Sequence, residues 1–411
     1  MLTTPKGLRL HIAIFGRRNA GKSTLINALC EQQVSIVSDI PGTTTDPVEK
    51  PLELLPLGPV VFIDTAGIDD TGALGELRIE KTKKVFDRTD LAIVVSESDK
   101  FDNFENEIIA DLAKKSIPYI LVINKIDLSA PADAFLNKLR ENKIDFALCN
   151  AKSGDGIFDL KNLIIAKAPD DWINPPTLIS DLISSGQTAV MVIPIDLEAP
   201  RGRLILPQVQ VIREVLDCDA SAMVVKEREL YYALQNLKEP PVIVVTDSQA
   251  VLKVCADVPS PIPVTTFSML FARYKGDLKT LVEGVFAIDS LEDGDKVLIG
   301  EACSHHAIAD DIGSVKIPRW VRQYTGKDII FEKYSGHDYP ANLSEYRLVI
   351  HCGSCMINRR AMLSRILYAR NQGVPITNYG VAISYLQGVL KRTIEPFAAV
   401  SYLVRDRLRK K

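Results

Sequence analysis

From residue 8 to about 169, short apolar runs alternate with amphipathic stretches. Residues 10–15, 60–63, 91–95 and 119–123 have the length and content of buried strands, and helical spacing lies between them. This repeat of strand, loop and helix predicts a doubly wound α/β domain. The stretch Ala168-Pro169-Asp170-Asp171-Trp172-Ile173-Asn174-Pro175-Pro176 interrupts it, because paired prolines neither continue a helix nor fill a central strand. A second alternation follows, with strands expected at 189–195, 222–225, 242–246 and 264–267. A third has strands at 296–300, 329–332, 348–351 and 376–379 and an amphipathic helix at 385–392. The fold class expected is therefore α/β throughout, a first domain at 1–170 followed by two further α/β domains at 177–270 and 271–411.

The first domain's chemistry is set by Gly16-Arg17-Arg18-Asn19-Ala20-Gly21-Lys22-Ser23-Thr24, which fits G-x-x-x-x-G-K-[ST] directly after a strand and before a helical run. In such a loop the backbone amides of Gly16, Asn19, Ala20, Gly21 and Thr24 wrap phosphates, Lys22 reaches the terminal ones and the Ser23 hydroxyl ligates Mg²⁺. Asn124-Lys125-Ile126-Asp127 selects the base: a carboxylate accepts from guanine N1–H and its 2-amino group, and adenine offers neither, so the nucleotide is GTP or GDP. Asn150-Ala151-Lys152 stands where a third base-contacting loop belongs. Asp64-Thr65-Ala66-Gly67 ends a strand, with Asp64 placed to hold Mg²⁺ through water and the Gly67 amide to sense the γ-phosphate.

These residues resemble the TrmE-Era-EngA group of GTPases. The resemblance implies that Asn19 helps hold K⁺ against the phosphates, replacing an arginine finger, and that Lys22, Asn19 and Gly67 are the catalytic set. Ile68 stands where Ras-like proteins carry a water-orienting glutamine. Pro41-Gly42-Thr43-Thr44-Thr45-Asp46 matches the group's switch pattern with Thr45 in place of a basic residue, leaving Thr44 to sense Mg²⁺.

Near the C-terminus, Cys303-Ser304-His305 and His351-Cys352-Gly353-Ser354-Cys355 carry soft metal donors at or beyond strand ends. If the two strands are parallel neighbours, Cys303, Cys352 and Cys355 converge at one sheet edge, with His305, His306 and His351 as possible further donors. Such a set suits either a closed structural zinc site or a cluster in which three thiolates bind three irons of a 4Fe–4S cube. The other cysteines, Cys30, Cys149, Cys218 and Cys255, lie in or beside apolar segments and read as packing residues.

The P-loop domain, the α/β middle and the C-x-H and H-C-x-x-C segments together resemble the HydF family of [FeFe]-hydrogenase maturation GTPases over essentially the whole chain. The resemblance implies a homodimer joined by its middle domain. It also implies a scaffold on which a diiron subcluster precursor is assembled with radical-SAM maturases and passed to apo-[FeFe]-hydrogenase.

Composition adds exclusions. The 411 residues include 46% hydrophobic and 25% charged residues with a net charge of −3, and no basic surface for nucleic acid is indicated. No apolar run suffices to span a bilayer and no signal peptide is recognisable, so a soluble, cytoplasmic protein without a membrane partner is expected. An RNA-directed GTPase would call for an RNA-binding module, and none is visible.

Overall fold

The computed structural model describes residues 4–31, 47–65, 84–98, 100–194, 204–302, 311–336, 339–340 and 342–409. The chain divides into two compact units, Met1–Pro175 and Pro176–Lys411.

The first unit is built on a six-stranded sheet ordered β2-β3-β1-β4-β5-β6. Its strands are β1 (Leu10–Gly16), β2 (Val48–Leu54), β3 (Gly58–Asp64), β4 (Leu91–Glu97), β5 (Tyr119–Asn124) and β6 (Phe146–Leu148). All neighbours are parallel except β2, which runs antiparallel to β3. Every residue of β1 is buried, as a strand covered on both faces requires. The exception was not expected from the sequence: β2 reads Val-Glu-Lys-Pro-Leu-Glu-Leu and is exposed or half-buried up to its last residue. Its proline is tolerated because an edge strand has a free side. Trp172, in the stretch read as a linker, donates its indole N–H to Leu57 O at 3.1 Å and packs against the first unit's core.

The second unit holds two four-stranded, all-parallel sheets. One is ordered β10-β9-β7-β8, from β7 (Thr188–Val192), β8 (Ser221–Val225), β9 (Ile243–Thr246) and β10 (Val264–Thr266). The other is ordered β12-β11-β13-β14, from β11 (Lys296–Glu301), β12 (Ile330–Ser335), β13 (Leu348–His351) and β14 (Ile376–Asn378). The two sheets share one continuous core, in which Met191 and Val245 belong with Val297 and Ile350. The helix Phe267–Lys275 leaves β10 directly, capped by the Thr266 hydroxyl at 3.1 Å from Met269 N. It is buried along most of its length and packs against both the helix Leu206–Asp217 and the helix Arg359–Asn371.

The helix expected at 385–392 is two shorter pieces, Tyr379–Leu386 and Leu390–Thr393. Gly388, with a positive φ of 74°, turns the chain between them. Among the described residues, no helix is long and apolar enough to cross a membrane.

Candidate functional site

The phosphate loop sits between the end of β1 and the helix Lys22–Glu31. Its geometry demands glycine at Gly21, where φ is +94° and a Cβ would stand 2.3 Å from Asn124 Nδ2. Lys22 is buried and folds its ammonium back onto the Gly16 and Arg17 carbonyl oxygens, at 2.9 and 2.7 Å. Parallel pairing places Asp64 beside Ile14, and there Asp64 Oδ2 accepts from the Ser23 hydroxyl at 2.6 Å. Two hard oxygen donors in contact at the phosphate loop are a set that suits Mg²⁺. Asn19, at φ 62°, and Thr24 are exposed beside them. Thr44 and Gly67 lie outside the described residues.

The segments expected to contact the base are tied to the phosphate loop through the side chain of Asn124. Asn124, at the end of β5, donates from Nδ2 to Ala20 O at 2.9 Å and accepts from Ala151 N at 3.0 Å. Asn150 closes its own turn by accepting from the backbone amides of Lys152 and Ser153 at 3.1 and 3.3 Å. Asp127 is exposed, open to a ligand edge. Lys125 pairs with Glu97 at 2.6 Å. Burial raises the pKa of the Glu97 carboxyl, but hydrogen bonds from Lys100 and Lys125 outweigh it and hold the group below the ordinary range.

The sequence reading missed a clamp on the phosphate loop. Arg17 reaches the first turn of the helix Asn103–Lys114, where it pairs with Glu105 at 2.9 Å and with Asp102. Glu105 is fully buried and also closes a capping box with Asp102, so two tasks fall on one carboxylate. Asp102 followed three residues later by Glu105 was a legible capping signal; the arginine partner was not.

At the other end of the chain, β11 and β13 are parallel neighbours with Gly300 paired to His351, as the convergence of the cysteine segments requires. The thiol of Cys352 accepts from Ala302 N at 3.1 Å, and Cys303 is the next residue along the chain. Cys352 is 9% exposed and Cys355 half-buried. Burial pushes the Cys355 thiol up to about 11, Cys352 adds to the rise and the Lys275 ammonium opposes it. Lys275, itself only 3% exposed, donates to Ile357 O at 3.0 Å beneath the loop. It borders a small cavity shared with Phe271, Met362 and the residues Cys352, Gly353 and Ser354. His351 is buried and hydrogen-bonded through both ring nitrogens.

Cys303, His305 and His306 lie outside the described residues, and among the described ones no three His, Cys, Asp or Glu side chains gather to hold a metal ion. The donor set still suits a soft metal: two thiols in one short loop, one already receiving a backbone N–H as cluster sulfurs do, with a buried cation alongside. Of the remaining cysteines, Cys149 is buried, with its thiol pushed up to about 12 by burial, and Cys30, Cys218 and Cys255 are half-buried.

Comparison with known families assigns each part. Residues 11–125 match a model described as a 50S ribosome-binding GTPase, residues 178–276 the hydrogen maturase F dimerization domain, and residues 279–396 the hydrogen maturase F tetramerization domain. Among curated relatives, the tRNA modification GTPase MnmE of Prochlorococcus marinus is 37% identical over 162 residues, 38% of this chain and 34% of the relative. That of Caldicellulosiruptor saccharolyticus is 40% identical over 119 residues, 29% of this chain and 26% of the relative. The chain thus spans at most about a third of the length of these relatives. Among solved structures, Era of Aquifex aeolicus bound to GDP and AlF₄⁻ aligns with 20% identity and a TM-score of 0.34, covering 53% of this chain and 93% of that one. The G domain of the T. maritima FeoB iron transporter aligns with 21% identity and a TM-score of 0.31, covering 39% and 98%.

Proposed function

The chain belongs to the hydrogen maturase F family, whose two domain models together match more than half of it, and from that premise we propose that it hydrolyses GTP and serves as an iron–sulfur scaffold and carrier in [FeFe]-hydrogenase maturation. In the GTPase domain, Lys22, which bonds two carbonyl oxygens, would serve the terminal phosphates, Ser23 and Asp64 would hold Mg²⁺, which would neutralise phosphate charge, and Asp127 would take the guanine edge. Asn19 supplies an oxygen toward K⁺, and Thr44 and the Gly67 amide report the γ-phosphate.

The thiolates of Cys303, Cys352 and Cys355 would hold a 4Fe–4S cluster, with His305 a further donor, and such a cluster would supply an iron able to exchange its ligand. On that scaffold the diiron subcluster precursor is assembled with radical-SAM maturases and delivered to apo-[FeFe]-hydrogenase in the cytoplasm. Residues 177–270 form the homodimer contact and 271–411 carry the cluster. The free edge of the middle sheet supports the dimer: β8 is its terminal strand and leaves Val224 48% exposed.

The observation that carries the cluster assignment is the parallel pairing of β11 with β13, which brings Ala302 N–H onto the Cys352 sulfur one residue before Cys303. The test is anaerobic reconstitution followed by iron analysis and EPR of the reduced protein. Wild type should show a 4Fe–4S signal, and alanine at Cys303, Cys352 or Cys355 should remove both the signal and hydrogenase maturation. Stoichiometric zinc without a cluster signal, or a cluster that survives loss of all three cysteines, refutes the assignment.

A further inference from the structure

His351 ends β13 with no solvent exposure, and its surroundings determine which nitrogen carries the proton. Nε2 lies 2.6 Å from an Arg365 guanidinium nitrogen. A guanidinium has hydrogens to give and no lone pair to accept with, so Nε2 is the acceptor. Nδ1 lies 2.9 Å from the Cys352 carbonyl oxygen, which can only accept, so Nδ1 is the donor. One form of the ring satisfies both contacts: the neutral imidazole protonated on Nδ1. Ser354 Oγ stands 3.3 Å from the same Nδ1, within the cysteine loop.

The frame around the ring is fixed as well. Arg365 comes from the helix Arg359–Asn371 and is 9% exposed. Its second nitrogen donates to Gly336 O at 2.5 Å, and its guanidinium lies 5.0 Å over the Tyr339 ring. Room for the imidazole comes from β11, because a Cβ at Gly300 would press on His351 Cδ2 at 3.0 Å. A metal ligand must present a lone pair, and the single lone pair of this tautomer is turned toward Arg365.

We propose, on the basis of the iron–sulfur reading above, that His351 is a positioning residue and not a cluster ligand: Arg365 locks the ring in its Nδ1–H form, and that N–H ties down the Cys352 carbonyl. The loop presenting Cys352 and Cys355 is then set before iron arrives. The exchangeable position of the cluster is consequently filled from elsewhere. Hydrogen bonds of this kind orient a ligand-bearing loop without touching metal, and their loss weakens metal affinity by about 10- to 100-fold.

Two measurements test this. In the full-length apoprotein, long-range proton–nitrogen NMR correlations with ¹⁵N-histidine read the tautomer directly. The chain has five histidines, so the His351 signals are assigned by their disappearance in His351→Asn. Protonation on Nδ1 is expected, and an Nε2–H pattern overturns the proposal whatever the protein binds. In the anaerobically reconstituted protein, His351→Asn, whose amide can donate from near the Nδ1 position, should keep wild-type iron affinity and unchanged nitrogen couplings in pulsed EPR. His351→Val, which cannot donate, should bind iron at least about tenfold more weakly. Loss of a nitrogen coupling in His351→Asn, or full iron affinity in His351→Val, overturns the proposal. Zinc in place of iron in the wild type defeats the iron–sulfur reading but leaves the tautomer result standing.

Discussion

Asn124 is the place where one substitution should disable the nucleotide site without touching a group that contacts phosphate. Its side chain joins Ala20 O and Ala151 N, and it is 2% exposed. Asn124→Ala strands both backbone groups in a region closed to solvent, at about 1–3 kcal/mol each. Water entering the shortened side chain's space recovers part of that, leaving about 2–3 kcal/mol. For a unit of this size each kcal/mol lowers Tm by about 2–4 °C, so a drop of ~5–10 °C is expected. The chain has two tryptophans, and in a Trp320→Phe background Trp172, packed in the first unit, reports that unit's unfolding alone. If binding must re-order both loops, the same energy lowers GTP affinity by up to about 30- to 150-fold, read by titration with a fluorescent GTP analogue. A Trp172 transition and a GTP affinity both equal to wild type would refute the bridging role.

Three other outcomes follow from the first unit. His11 lies buried on β1, where burial above all pushes its pKa down to about 4, while the hydrogen bond to Lys6 O opposes the shift. Its folded pKa lies below the unfolded value, so the unfolded chain takes up the proton first and stability falls as pH drops from about 6.5 to about 4. The loss reaches about 3 kcal/mol, and His11→Gln, which can keep a donor to Lys6 O without titrating, should flatten that slope in urea melts across this range. Asp127→Asn should move nucleotide preference from guanine toward xanthine, because an amide can donate to the xanthine 2-oxo group; unchanged discrimination between GTP and XTP would mean that Asp127 does not read the base. Potassium should accelerate hydrolysis over sodium at matched ionic strength and Asn19→Ala should abolish the difference, whereas equal wild-type rates in the two salts would exclude a K⁺ role.

The P-loop domain was legible in the sequence because its determinants are local. Gly16 to Thr24 specify a loop between a strand and a helix by their own backbone preferences, and Asp127 and Asp64 follow predicted strand ends. The strand alternation was legible for the same reason, since a buried parallel strand is a short apolar run whatever it pairs with. Pairing itself was not. The antiparallel edge strand β2 hides in a polar segment with a proline, and the second unit's two sheets share a core to which the helix Phe267–Lys275 contributes Phe267, Leu270 and Phe271. The clamp of Glu105 on Arg17, the bridge from Asn124 to Ala20 and the guanidinium of Arg365 on His351 join residues 88, 104 and 14 positions apart. A sequence lists which side chains can donate or accept, but the partner of a buried polar group is chosen by packing that brings distant segments within hydrogen-bond reach. That is why the sequence offers His351 only as a metal donor beside Cys352, while the fold alone shows an Arg365 guanidinium nitrogen 2.6 Å from its Nε2.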